Sequence, residues 1–157
     1  MGKKSGFTTY ELMVTIAIMA VIAAITMPPY LKWYQSSRLR GAVSSFTVDL
    51  EMAKTEAIRE NDFVVIEFFP RSYIVFVDSN DDWDSSGENV LLNRDLPPSV
   101  SIDTAGLTLS PAPNNDKVRF NSRGLPEDIF APQSIKITQA SNEKQLTINR
   151  LGNINVQ

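Results

Sequence analysis

GFTTYELMVTIAIMAVIAAITMPPYL, residues 6–31, carries one charged side chain, Glu11, and the twenty residues from Leu12 to Leu31 carry none. Wound as an α-helix at about 1.5 Å per residue, that run crosses the roughly 30 Å hydrocarbon core of a bilayer. A removable export signal has a shorter apolar core and then a small-residue cleavage site. Ala23-Ala24 is a weak match to such a site, but Ile25, Met27, Tyr30, Leu31, Trp33 and Tyr34 extend the apolar character beyond it. A retained span is the expected outcome. Lys3 and Lys4 stand on its short side, so the amino terminus belongs in the cytoplasm and the residues after about Leu31 across the membrane. At the end of the run Pro28-Pro29 withholds backbone donors and crowds the preceding turn, which predicts a kink or break.

Past the prolines, Leu39, Val43, Phe46, Leu50, Ala53 and Ala57 recur at steps of three and four, one face of a helix. Arg38, Arg40, Asp49, Glu51, Lys54, Glu56, Arg59 and Glu60 read as its polar flanks. A helix from Thr8 to Glu60 would reach roughly 80 Å, too far for one bilayer, so the second half packs on something else. A sheet of its own domain is the expected surface, and a coiled coil with another protein is the alternative.

From Phe63 the period changes to that of strands. Phe63 to Phe69 and Tyr73 to Val77 are rich in β-branched and aromatic residues around Pro70-Arg71-Ser72, a hairpin pattern. Weaker strands are expected at Val90 to Asn93, Val100 to Ile102, Leu107 to Leu109 and Lys117 to Phe120, with turns at Pro97-Pro98, Pro111 with Pro113, and Asn121 to Gly124. Alternation returns at Ser134 to Thr138, Gln145 to Asn149 and Ile154 to Val156. The expected fold is α+β: a long N-terminal helix packed on an antiparallel sheet or sandwich, with a span at 7–31, an amphipathic helix at 32–60 and a β head at 61–157.

Glu11, at the mouth of the apolar run, is costly in lipid and calls for a partner or for reach into the headgroups. Residue placement alone leaves both readings open. A cut between Gly6 and Phe7 would create an amino group four residues from Glu11, or offer one to Glu11 of a neighbouring copy. Lys3-Lys4-Ser5-Gly6 followed by Phe7-Thr8-Thr9-Tyr10-Glu11-Leu12 closely resembles the processing motif of type IV prepilins and type II secretion pseudopilins. The resemblance implies a leader at residues 1–6, cleavage by prepilin peptidase between Gly6 and Phe7, N-methylation of Phe7, and Glu11 as the assembly residue that pairs with an adjacent subunit's amino terminus. It further implies an inner-membrane subunit with a periplasmic head, partnered by inner membrane lipid, other pilin or pseudopilin subunits and an assembly platform. The order of helix, β head, Val77-Asp78 to Gly87-Glu88 loop, Phe120-to-Gly124 turn and terminal Gly152 turn is similar to H-type minor pseudopilins and FimT-like minor pilins. Many pilins carry a C-terminal disulfide; this chain has no cysteine.

Other functions have less support in these residues. Without histidine, neither a Ser-His-Asp triad nor a His-ligated metal site can be built, and Asp81 with Asp82 or Glu127 with Asp128 lacks a catalytic setting. Asp78, Asn80, Asp82, Asp84 and Glu88 have the alternate spacing of calcium ligands. Trp83, however, occupies the position where such a loop turns on glycine, and Glu88 is one residue short of the closing ligand. A solvated hairpin loop without a cofactor is expected. Some FimT-like pilins bind DNA through arginines at the C-terminal glycine turn, but here Arg150-Leu151-Gly152-Asn153-Ile154-Asn155 places asparagines there, in a chain of net charge −3. Nucleic acid is therefore not an expected partner.

Overall fold

The computed structural model describes residues 6–107, 116–127, 132–140 and 142–157. Lys3 and Lys4, Thr108 and Leu109 of one expected strand, Pro111, Pro113 and Asp128 lie outside them. The elements are α1 (Thr9–Glu60), β1 (Phe63–Phe69), β2 (Ser72–Asp78), β3 (Asn89–Asp95), β4 (Ser101–Asp103), β5 (Lys117–Phe120), β6 (Gln133–Gln139), β7 (Asn142–Ile148) and β8 (Ile154–Val156). The chain divides into two compact units after Ser37, inside α1 rather than at its end.

In the first unit the side chains from Phe7 to Tyr34 are exposed, and the helix is long and apolar enough to cross a membrane. Its polar side chains are served locally: Thr15 Oγ1 donates to the Leu12 carbonyl at 2.8 Å, and Thr26 Oγ1 to that of Ile22 at 2.9 Å. Such internal pairing is what an apolar solvent demands. The helix continues through Pro28-Pro29, so of the kink or break expected there a break does not occur. Two prolines withhold donors from two carbonyls one turn back, and the regular turns on either side carry the helix past them.

The second unit, the head, begins at Arg38. Leu39, Val43, Phe46, Leu50, Ala53 and Ala57 are all buried, as their spacing predicts. Their surface is the head's own core, not a foreign helix: Phe46 meets Phe68 and Tyr73 edge-on, with ring centroids 5.6 and 5.1 Å apart. Asn61, in the left-handed region (φ 54), ends α1, and Asp62 N–H reaches back to the Ala57 carbonyl at 3.3 Å. That is the usual closure of a helix by a residue that tolerates positive φ.

The strands form two four-stranded sheets, in the orders β3-β2-β1-β5 and β4-β6-β7-β8, with every pairing antiparallel. β1 and β2 pair from Phe63↔Asp78 to Phe69↔Ser72, leaving Pro70-Arg71 as a two-residue turn. The register shifts between Val75 and Phe76, where Leu91 is the extra residue of a bulge in β3. Buried residues alternate along β6, with Ile135 and Ile137 facing the core opposite Leu146 and Lys144 of β7.

One close approach fixes the second sheet. Ser134 N–H donates to the Gly106 carbonyl at 3.2 Å, and a Cβ at position 106 would lie 2.5 Å from the Ser134 carbonyl oxygen. Backbone cannot yield as a side chain can, so Gly106→Ala is expected to cost about 1–3 kcal/mol. Denaturant unfolding of the full chain in detergent should show a lower midpoint at an unchanged slope.

Candidate functional site

At the start of α1, Thr8 and Glu11 serve each other. Thr8 N–H and Oγ1 donate to Glu11 Oε2 at 2.9 and 2.8 Å, and Glu11 N–H donates to Thr8 Oγ1 at 3.2 Å. Thr8 is the N-cap and Glu11 the third helical residue, so Thr8 to Glu11 forms a capping box. The arrangement satisfies donors that a helix start leaves orphaned and sets a carboxylate at the positive end of the helix dipole. Gly6 and Phe7 precede the cap; Phe7 is 87% exposed, and among the described residues nothing crowds the Gly6 Cα. The Gly6-Phe7 peptide thus lies outside the helix, just before its Thr8 cap.

Among the described residues of the head, two polar clusters stand out. In the first, Asp49 on α1 accepts hydrogen bonds from Tyr73 Oη on β2 (2.6 Å) and from Arg94 on β3 (2.6 and 3.2 Å). Asp49, expected on the solvated flank, is buried instead. Three residues after Phe46 and four before Ala53, it lies within the apolar stripe, and its charge is tolerated because Arg94 and Tyr73 reach it. Burial, followed by the bond to Asp49, pushes the Tyr73 phenol well above its ordinary value near 10. The hydrogen bond to Asp49, outweighing desolvation, raises Arg94.

The sign of the resulting pH effect follows from which state releases the proton. Above pH 10 the unfolded chain ionises Tyr73 while the folded head does not. Tyr73 therefore contributes fully below pH 10 and its contribution falls above it, by about 1.4 kcal/mol per pH unit. Tyr73→Phe should flatten this alkaline loss, as measured by denaturation midpoints between pH 9 and pH 11. An equally steep decline in the variant would count against it.

The second cluster is built on Arg119 of β5. Its guanidinium lies between the rings of Phe63 (4.3 Å) and Trp83 (4.0 Å), pairs with Asp78 at 3.3 Å, and contacts Asp81 and Glu127 more closely. Burial alone would lower its pKa, but Asp81 and Glu127 outweigh burial and raise it. Lys117 adds a second tie, donating to the Trp83 carbonyl at 2.6 Å and pairing with Glu67 at 3.2 Å.

These contacts account for the acidic loop. Asp78 accepts the N–H groups of Asp82 and Trp83, Asp82 that of Asp84, and Asp84 that of Ser86. Asn80 Nδ2 donates to Asp82 Oδ2 at 2.9 Å. The alternate oxygens thus cap successive turns. Among the described residues no three carboxylates are grouped as a metal site, and Glu88 takes no part in the cluster. Trp83 is buried in the left-handed region (φ 64) under Arg119, so the loop is fastened down rather than solvated throughout. Arg119 gave a sequence signal only as a charge between two apolar residues of a strand, Val118 and Phe120.

At the C-terminal turn, Asn149 Oδ1 accepts the N–H groups of Leu151 and Asn153, and Lys54 Nζ donates to the Gly152 carbonyl at 3.3 Å. Gly152 (φ 73) lies against the Gly124 carbonyl, where a Cβ would be 3.1 Å away. Asn149 therefore builds the turn, and Lys54 is engaged in holding it to α1.

The family described as Type II transport protein GspH matches residues 42–152, which include most of the head half of α1, both clusters and the turn as far as Gly152. No curated protein sequence matches the chain. Among solved structures, the type IV minor pilin FimU of Pseudomonas aeruginosa aligns with a TM-score of 0.61 at 13% identity, over 80% of this chain and 92% of that one. A second crystal form of FimU gives 0.57 at 13% identity, over 75% and 91%. The minor pseudopilin EpsH from the type 2 secretion system of Vibrio cholerae gives 0.54 at 15% identity, over 76% and 96%. At these identities the structures establish a shared fold.

Proposed function

The chain belongs to the GspH family of type II transport proteins, and from that premise we propose that it is a minor pseudopilin or minor pilin, cut after Gly6 and built into a filament through its N-terminal helix. The family and fold are those of structural subunits, and the exposed apolar stem fits a membrane-anchored one. The observation that supports cleavage and assembly is a Gly6-Phe7 junction set directly before a capped apolar helix whose first carboxylate is Glu11.

In this mechanism the leader keeps its lysines in the cytoplasm while the stem waits in the inner membrane with the head in the periplasm. Prepilin peptidase hydrolyses the Gly6-Phe7 peptide, freeing a cationic amine that is then N-methylated. On extraction by the assembly platform the stem exchanges lipid for neighbouring stems, so its apolar surface stays out of water throughout. Glu11 of one subunit then meets the amine of the next, and each neutralises a charge the other would otherwise bury alone.

The test is the intact mass and N-terminal sequence of membrane-extracted protein from cells with and without prepilin peptidase. A methylated Phe7 terminus is expected only with the peptidase. An uncut chain in both, or a start after Ala24, overturns the proposal.

A further inference from the structure

Tyr30, Trp33 and Tyr34 stand at i, i+3 and i+4 of α1, one ridge on one helix face just after Pro28-Pro29. Tyr30 stacks on Tyr34 with ring centroids 6.3 Å apart and lies 6.2 Å from Trp33, yet the three remain 60%, 64% and 41% exposed for Tyr30, Trp33 and Tyr34. A monomer in water would gain by covering such a ridge. Nearly flat rings with one polar edge are instead suited to the zone between hydrocarbon and water.

The position agrees in length. Glu11 and Lys32 are the charges that bound the apolar run, and from Glu11 to Trp33 the helix rises about 33 Å, against a hydrocarbon core of about 30 Å. When Glu11 and its Thr8 cap lie in one headgroup layer, the ridge falls in the other. We propose that Tyr30, Trp33 and Tyr34 form a lipid-interface anchor that fixes the depth of the stem, with phospholipid at the carbonyl and headgroup level as the partner. Pro28 and Pro29 then lie just inside the hydrocarbon, where the ridge keeps them from sliding into the headgroups. This rests on the stem being a membrane span, but not on cleavage, methylation or filament assembly.

The test places the full chain, and its Trp33→Phe variant, in phosphatidylcholine vesicles carrying bromine either near the ester end or near the methyl end of the acyl chains. Subtracting the variant leaves the Trp33 signal without disturbing Trp83. Shallow bromine should quench Trp33 about twofold more than deep bromine, as an interfacial indole requires. In a Tyr30→Ser/Tyr34→Ser variant that preference should fall by at least about half, because a single indole holds depth less firmly. Stronger quenching by deep bromine overturns the anchor, as does an unquenched Trp33 in water or under a protein neighbour, or a preference the serine variant leaves unchanged. Co-flotation of the chain with vesicles is scored separately. A chain that floats but fails the depth test overturns the anchor alone, whereas one that does not float overturns the membrane reading with it.

Discussion

Exchange of Arg119 for Met lowers the stability of the head by about 3–5 kcal/mol, because it removes one side of a buried ion pair and leaves the other side charged. Asp78 has no exposed side-chain surface, and the Arg119 side chain is 7% exposed. With the guanidinium gone, Asp78 keeps two backbone donors and no cation, and Trp83 loses the group stacked on its ring. A domain of this size has about 5–15 kcal/mol in hand, so the loss is a large share of the whole. Arg119→Lys should rescue little: an ammonium can neither lie flat between Phe63 and Trp83 nor reach three carboxylates at once. Arg119→Met combined with Asp78→Leu should recover part of the loss, since no buried charge is then stranded. Denaturant unfolding followed by tryptophan fluorescence measures each variant. A single variant within about 1 kcal/mol of the parent would show that the cluster is dispensable.

Glu11→Val is expected to insert, to be cut after Gly6 and to remain in the membrane, with filament incorporation reduced to background. The substitution does two things at once. It takes away the carboxylate that would meet a neighbour's amine, and it dismantles the capping box with Thr8. Glu11→Gln separates them, because an amide oxygen can still accept from Thr8 N–H while carrying no charge. If charge pairing drives assembly, the two variants fail alike. Incorporation of Glu11→Gln at the parental level would assign Glu11 to the helix cap and sink the pairing argument. The readout is the amount of each variant in purified filaments relative to the membrane fraction.

Much of this architecture was legible because it depends on periodicity. Six apolar residues from Leu39 to Ala57 at helical spacing marked the face that packs, and β-branched runs marked most of the strands. Strand order was not legible, since the grouping of β4 with β6 and of β5 with β1 depends on pairings far apart in the chain. Charges misled where tertiary partners decide their fate. Asp49 looked like a solvent residue until Arg94 and Tyr73 came within reach, and the acidic loop looked solvated until Arg119 and Lys117 were set beside it. Gly6, Phe7 and Glu11 stand out as a motif, and Thr8-Thr9-Tyr10-Glu11 also carries the Thr-x-x-Glu spacing of a capping box, a signal that the motif overshadowed.

The Lys54 clasp on the Gly152 carbonyl imposes an order in time. Its two ends are 98 positions apart in the chain. At about 5–20 residues per second, a ribosome finishes Gly152 some 5–20 s after Lys54. The whole of α1 has been made long before that, while the head still lacks its last strand. The head therefore cannot close until its last residues are made, because α1 lacks the Lys54 clasp until Gly152 arrives. Completion of the domain is thereby tied to the end of synthesis, with the C-terminal turn as the piece that closes it.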